Sequence, residues 1–269
     1  LKTKIKNTTG ISVWASDNAS LFYIKKDEQN LRSKEVYKHK INDHGEEDKL
    51  IYKEADETYS VHVSSSKSRE YIFISSHNTT TSEYRFIRSD QPEAAFKVIH
   101  PRTNGLEYDI THYGDYFYVH TNFNGATNFQ IMRTAIEQTH SKFWQPLLAH
   151  REDVLIEDIE LFDQFWVVKE RKNGLSRLRI MRWDNSADYY LPVEEETYSL
   201  NISYNPEFMS NKLRYVFNSL TTPNSVIEFD MVSQQKLILK IQKVMGGGFD
   251  PNHYVSKRLW ANARDGSKI

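Results

Sequence analysis

The run Leu213-Arg-Tyr-Val-Phe-Asn-Ser-Leu220, followed by Thr221-Thr-Pro-Asn-Ser225 and Val226-Ile-Glu-Phe-Asp-Met231, decides how this chain is read. Leu213, Tyr215 and Phe217 alternate with Arg214, Val216 and Asn218, the period of a strand that shows alternate side chains to two faces. Thr221 to Ser225 carries turn chemistry, because Pro223 fixes φ while Asn224 and Ser225 can bond nearby backbone. Val226 to Met231 is a second β-rich run, so the stretch is an antiparallel hairpin. The hairpin recurs along the chain, and the recurrence is the strongest signal in the sequence.

First runs begin at Ile11-Ser-Val-Trp-Ala15, Tyr59-Ser-Val-His-Val63, Glu107-Tyr-Asp-Ile-Thr111, Leu155-Ile-Glu-Asp-Ile159 and Tyr198-Ser-Leu-Asn-Ile202, about 43 to 48 residues apart. Second runs, nearly continuous in apolar character, follow at Leu21–Ile24, Tyr71–Ile74, Tyr116–Val119, Phe165–Val168 and Leu213–Val216. Such runs suit strands buried on both faces between stacked sheets. Third runs lie at Glu35–His39, Glu83–Ile87, Phe129–Met132, Leu178–Met181 and Val226–Phe229. Fourth runs, at Leu50–Tyr52, Phe96–Ile99, Trp144–Leu148, Tyr189–Leu191 and Leu237–Ile241, are more polar, as an outermost strand with a solvated edge should be. Asp17-Asn18 and Ser65-Ser-Lys-Ser68 read as tight turns, and Lys26 to Lys34 as a longer exposed loop. The expected fold is all-β: a β-propeller of about five four-stranded blades over residues 1–241. A many-stranded β-sandwich is the alternative, and the regular spacing disfavours it.

Composition narrows the functions. The 269 residues include sixteen Tyr, fourteen Phe and five Trp, a balance that suits half-buried pleated surfaces. A formal charge of -1 provides no global field for nucleic acid or an anionic membrane, so neither is expected as a partner. Mean hydropathy is -0.66 and no apolar run approaches the ~20 residues of a membrane span. With no Cys, disulfides, thiolate metal sites and cysteine nucleophiles are excluded. Leu1-Lys-Thr-Lys-Ile-Lys6 lacks a signal-peptide core, so the expected compartment is cytoplasmic; Leu1 in place of an initiator Met suggests a fragment.

No stretch announces a site. Gly246-Gly-Gly248 has neither phosphate-loop spacing nor a following helix and reads as linker. His100, His112 and His120 lack metal-ligand spacing and read as strand or surface histidines. Glu46-Glu-Asp48 and Glu194-Glu-Glu196 read as solvated loops. A five-bladed glycosidase would need two carboxylates at a defined separation, which a sequence does not reveal. Arg177, Arg179 and Arg182 read as the solvent side of a strand rather than a nucleic-acid platform. The Asn-x-Ser/Thr matches at Asn7, Asn18, Asn78 and Asn201 read as chance. There is no G-x-S-x-G nucleophile elbow. No catalytic, cofactor-binding or metal-ligating residue is assigned, and no cofactor is expected.

The opening hairpin, Leu213 to Pro223 with Glu228-Phe-Asp-Met231, resembles the last-blade signature of the prolyl oligopeptidase family, above all its oligopeptidase B (protease II) branch. Asp48–Glu54, Thr79–Glu83, Glu107-Tyr-Asp109, Arg151–Val154 and Leu200–Pro206 match in order. Gly247 to Tyr254 and Ala263-Arg-Asp-Gly266 resemble the passage by which that family leaves its propeller. The resemblance implies a seven-bladed propeller capping an α/β-hydrolase domain, with about two blades and the Ser-Asp-His triad outside this chain. Residues 242–269 would then be the linker and first strand leading to the absent catalytic domain. The chain itself, inactive alone, would gate access of short peptides to a serine endopeptidase cutting after Arg or Lys. Its exposed blade edges would favour an open arc or a rearranged ring, and dimerisation through those edges. A self-contained protein-binding propeller is the alternative from another class.

Overall fold

The computed structural model describes residues 5–27, 31–41 and 48–269. They form five four-stranded antiparallel sheets, each a meander in which sequence neighbours are sheet neighbours. Blade one comprises β1 (Thr8–Trp14), β2 (Ser20–Lys26), β3 (Ser33–Lys40) and β4 (Lys49–Lys53). Blade two comprises β5 (Ser60–Ser65), β6 (Tyr71–His77), β7 (Ser82–Arg88) and β8 (Lys97–Val98). Blade three comprises β9 (Tyr108–Tyr113), β10 (Tyr116–Thr121), β11 (Gln130–Ala135) and β12 (Gln145–Leu148). Blade four comprises β13 (Leu155–Leu161), β14 (Phe165–Lys172), β15 (Leu175–Arg182) and β16 (Asp188–Tyr190). Blade five comprises β17 (Ser199–Ile202), β18 (Lys212–Asn218), β19 (Ser225–Asp230) and β20 (Lys236–Ile241). The chain divides into two compact units, Leu1–Arg151 with blades one to three and Glu152–Ile269 with blades four and five.

In the first unit the apolar second strands hold the blades together. All of Tyr71 to Ser76 in β6 is buried, so both faces of that strand are covered. Ile72 and Ile74 pack with Phe22, Ile24 and Val36 of blade one. Tyr71 and Phe73, pointing the other way, pack with Phe117 and Val119 of blade three. Phe117 is fully buried and meets Tyr71, Phe73 and Phe86 edge-on at centroid distances of 5.2, 5.7 and 5.0 Å.

In the second unit Phe165, Val167, Leu178 and Ile180 of blade four face Leu200, Leu213, Tyr215 and Phe229 of blade five. Here one expectation fails. Leu213 and Tyr215 of β18 are buried but Arg214 between them is exposed, so this second strand is not buried on both faces. Its pattern is true alternation, as the quoted stretch shows: Leu213 and Tyr215 pack toward blade four, while Arg214 points the other way and donates to Glu228. Every residue of β20 is exposed, including Leu237, Ile238, Leu239 and Ile241. One fourth strand is shorter than its sequence run: β8 has two residues, Lys97–Val98, where the pattern covered Phe96–Ile99.

The tight turn at Asp17-Asn18 is built by the Asp17 carboxylate, which accepts from the amides of Ala19 and Ser20 at 2.9 and 2.8 Å while Asn18 takes φ +54°. The loop expected over Lys26 to Lys34 includes residues 28–30, outside the described residues.

Packing of this kind makes a quantitative difference between positions. Phe117→Ala should lower stability by about 3–5 kcal/mol, the cost of a large cavity in an aromatic core. Leu239→Ser on β20 should change it by less than about 0.5 kcal/mol. Urea titration of both variants, followed by tryptophan fluorescence, reads the contrast.

Candidate functional site

In a four-stranded meander, strands two and four finish at the same end of the sheet, and strands one and three start there. In blade five that end passes the chain from Ile241 of β20 into Gln242. Gly246, Gly247 and Gly248 follow with φ of +98°, +72° and +78°, conformations open to glycine at little cost. Residues beyond it lie against loops of the same end. Ser256 Oγ is 3.4 Å from Thr221 Oγ1, and the Arg258 amide donates to Glu196 Oε2 at 3.3 Å. The Arg258 guanidinium donates to the Asn173 carbonyl and lies 4.2 Å from the Trp260 ring centre. Ala261 and Ile269 exchange two backbone hydrogen bonds, so the last residues form a narrow hairpin.

The corresponding ends of blades one and two carry a buried ionic network. Glu54, 5 % exposed, accepts from Arg102 Nη2 at 2.6 Å, Tyr52 Oη at 2.7 Å, the Asp56 amide at 3.0 Å and Ser76 Oγ. Arg102 also stacks 3.6 Å from the Tyr59 ring centre, and its amide donates to Glu83 Oε2 at 2.9 Å. Glu83 in turn pairs with Arg85 at 2.6 Å. Burial pushes the Glu54 carboxyl up, but the bonds from Arg102, Ser76, Asp56 and Tyr52 outweigh it and hold the group at about 2. Donors from four residues converge on one carboxylate, which makes this a clamp between blades rather than a reactive acid.

The corresponding end of blade three presents Asp109, the second residue of β9. Its side chain is 72 % exposed. Tyr84 Oη of blade two donates to Asp109 Oδ1 at 2.7 Å, and His120 Nδ1 stands 3.8 Å from Oδ2. Crowding by protein opposes ionisation, yet the bonds from His120 and Tyr84 and the charge of His77 keep the carboxyl below its ordinary value.

Of the residues singled out by sequence, most have structural work. His112 and His120 are not brought together: in the β9–β10 ladder His112 lies opposite Phe117 and His120 opposite Asp109. His112 is fully buried; its Nε2 donates to the Gly114 carbonyl at 2.8 Å, so Nδ1 accepts from Ser68 Oγ at 2.7 Å. It thereby ties the Ser65–Ser68 turn of blade two to blade three. His100 is buried beside His140, with ring centres 4.6 Å apart. Arg177 pairs with Glu170 at 3.2 Å and Arg179 with Asp188 at 2.6 Å, while Arg182 donates to Gln164 at 2.9 Å. These bonds spend the guanidinium groups within the blade. Glu195 accepts from Thr221 and Thr222 at 3.2 and 2.5 Å, and Glu196 holds Arg258, so this acidic run is a loop-to-loop tie rather than purely solvated. Of Glu46-Glu-Asp48, Glu46 and Glu47 lie outside the described residues; Asp48 bonds His39 Nδ1 at 2.7 Å. Asp109 carries no sequence signal, because its partner Tyr84 belongs to another blade.

The buried groups set an acid dependence. Burial depresses His100, helped by His140, and depresses His112. A histidine whose folded value lies below the unfolded 6.5 contributes stability above that pH and loses it as pH falls through it. Glu54, at about 2 against 4.5 unfolded, contributes above 4.5 and loses its share between there and about 2. Stability should therefore fall in two stages, below about pH 6.5 and again below about pH 4.5, with about 3 kcal/mol in the second. Glu54→Gln should flatten the second stage while lowering stability at pH 7, as urea melts across pH would register.

Comparison with known proteins agrees with this architecture. A family model described as the prolyl oligopeptidase N-terminal beta-propeller domain matches residues 1–242. The chain is 38 % identical to dipeptidyl aminopeptidase BI of Pseudoxanthomonas mexicana over 99 % of its length and 36 % of that protein. Oligopeptidase B from Trypanosoma brucei, in a closed form with covalently bound antipain, superposes with a TM-score of 0.91 at 28 % identity, over 100 % of this chain and 39 % of that one. Oligopeptidase B from Leishmania major gives 0.89 at 27 % identity, again over 100 % of this chain and 39 % of that one. The chain thus spans well under half of these relatives. Its repeated four-stranded blades, the apolar cores packed between neighbouring blades and the match over residues 1–242 place it in the prolyl oligopeptidase family, as an N-terminal β-propeller domain.

Proposed function

We propose that this propeller region gates access of short peptides to the catalytic domain of a serine-type oligopeptidase that cuts after Arg or Lys. The observation that carries the reading is the full-length superposition on oligopeptidase B at a TM-score of 0.91. The chemistry found in the blades fits a filter: carboxylates such as Glu54, Glu83 and Glu170 are spent on ion pairs, and the linker is tied down by Glu196 and Asn173. Nucleophile, base and oxyanion donors belong to the remainder of the parent protein in this reading, and the propeller contributes steric selection and closure. Residues 242–269 act as the connection to that domain. A second reading has its own support, since identity to a dipeptidyl aminopeptidase, at 38 %, exceeds that to the two oligopeptidase B structures. In that case the parent removes dipeptides from amino termini.

Fluorogenic peptides ending in Arg, Lys or Pro, offered to the parent protein and to this chain alone, test the proposal. Release after Arg or Lys by the parent only is the expected result; release after Pro moves the parent to a sister branch. Equal activity of the isolated chain would falsify the placement of the catalytic groups. Blocking the peptide amino terminus separates the readings, because an aminopeptidase loses activity and an endopeptidase retains it.

We also propose that the isolated chain dimerises through blade edges, since β20 is exposed along its whole length and carries Leu237, Leu239 and Ile241. Sedimentation equilibrium should detect dimers; a monomer persisting at high concentration would remove the idea.

A further inference from the structure

We propose that a pocket on blade three binds the carboxyl end of short peptides whose last residue is aromatic. The inference rests on the reading that short peptides reach this region, and adds a binding site to it.

One blade builds the whole pocket. It lies between the β10–β11 loop, strands β11 and β12, and the Ser141–Phe143 turn. Its volume is about 500 Å³, within the range of small-ligand sites. Phe123, Met132, Trp144 and Pro146 supply the apolar wall. Met132 and Pro146 are opposite each other in the β11–β12 ladder, and the Phe123 and Trp144 rings meet edge-on with centres 5.4 Å apart. Hydrogen bonds fix this wall: Gln130 Nε2 donates to the Phe123 carbonyl at 2.7 Å, and Trp144 Nε1 to the Thr139 carbonyl at 2.8 Å. A cleft set in advance loses little freedom when it is filled.

Polar groups select the occupant. Ser141 lines the pocket and is 9 % exposed. Its amide reaches His100 Nδ1 at 3.5 Å and its carbonyl accepts from the Trp144 amide, yet its hydroxyl has no hydrogen-bond partner among the described residues. A hydroxyl so deeply set is ordinarily bonded, which leaves this one for a ligand. Gln130 also lines the pocket; its amide nitrogen is spent on Phe123, and Oε1 remains to accept an N–H. Lys142 is exposed at the rim, its ammonium 4.8 Å from the Phe143 ring centre and without a carboxylate partner among the described residues. No Asp or Glu among the described residues lines the pocket, so its charge is positive.

An aromatic wall, a hydroxyl donor, an amide acceptor and an ammonium are the complement of a terminal aromatic residue: ring, backbone N–H and carboxylate. A small aromatic acid would use the wall and the ammonium but would offer nothing to Gln130 Oε1.

Calorimetric titration of the full-length parent tests this with an acetylated tripeptide ending in phenylalanine, its carboxyl-terminal amide, the same tripeptide ending in serine, and 3-phenylpropionate. The phenylalanine acid should bind about tenfold tighter than the serine acid, the scale of burying one large apolar side chain. It should bind about threefold tighter than the amide, the scale of a partly solvated ion pair. Lys142→Gln should abolish the acid-over-amide preference while keeping the preference for phenylalanine. Ser141→Ala should weaken the phenylalanine acid about fivefold, the scale of one hydrogen bond. Urea melts of both variants should match wild type. Absence of binding, equal affinity for acid and amide, or an affinity unchanged in either variant overturns the proposal. Phenylpropionate binding as tightly as the tripeptide overturns the peptide as occupant. Cleavage of peptides after Arg or Lys, followed in parallel, reads the gating proposal separately: its loss in wild type removes that reading, and its persistence without tripeptide binding removes this pocket alone.

Discussion

A β-sheet with two apolar faces cannot stand alone in water, and this requirement governs the whole chain. Burial of apolar surface contributes roughly 25 cal/mol per Å², so β6 needs a blade on each side before its run from Tyr71 to Ser76 is worth ordering. Blade two finds both neighbours within its unit: isoleucines face blade one, and aromatic rings face blade three. Blade five packs against blade four through Leu213 and Tyr215 of β18, and Arg214 between them is exposed where β6 carries a buried residue.

Electrostatics follows the packing. Burying Glu54 would be prohibitive for a lone charge; with Arg102, Tyr52, Ser76 and the Asp56 amide around it, the group becomes a joint. The joint connects Tyr52 of β4, Ser76 of β6 and Arg102 in the loop before β9, and so ties blade one to blade two. His112 does similar work in neutral form, its tautomer fixed by the Gly114 carbonyl.

Much of this was legible in advance. All five blades and their twenty strands follow from period-two alternation and a spacing of about 43 to 48 residues. Strand alternation is a local property, and a repeat multiplies it. The losses come where local pattern is silent. Leu213–Val216 reads like any other second run, because whether its second face is covered depends on a different sheet. The roles of His112 and Glu195 depend on Ser68 and Thr222, which are 44 and 27 residues away. Asp109 lies within a stretch that matches the family, yet its orientation comes from Tyr84, 25 residues earlier. Sequence reveals the lattice of strands; the polar contacts between blades belong to three dimensions.

Each sheet is closed by consecutive strands, with order β1-β2-β3-β4 in blade one and its equivalent in the others. No ladder in the described residues borrows a strand from a distant part of the chain. Backbone pairing is therefore complete within about 45 residues of synthesis, and a blade can satisfy its main-chain hydrogen bonds as soon as its fourth strand has left the ribosome. What must wait is side-chain docking between blades. Assembly becomes additive, one module laid on the previous one, and the sites least damaging to rearrange by duplication, deletion or circular permutation are the loops between a fourth strand and the next first strand.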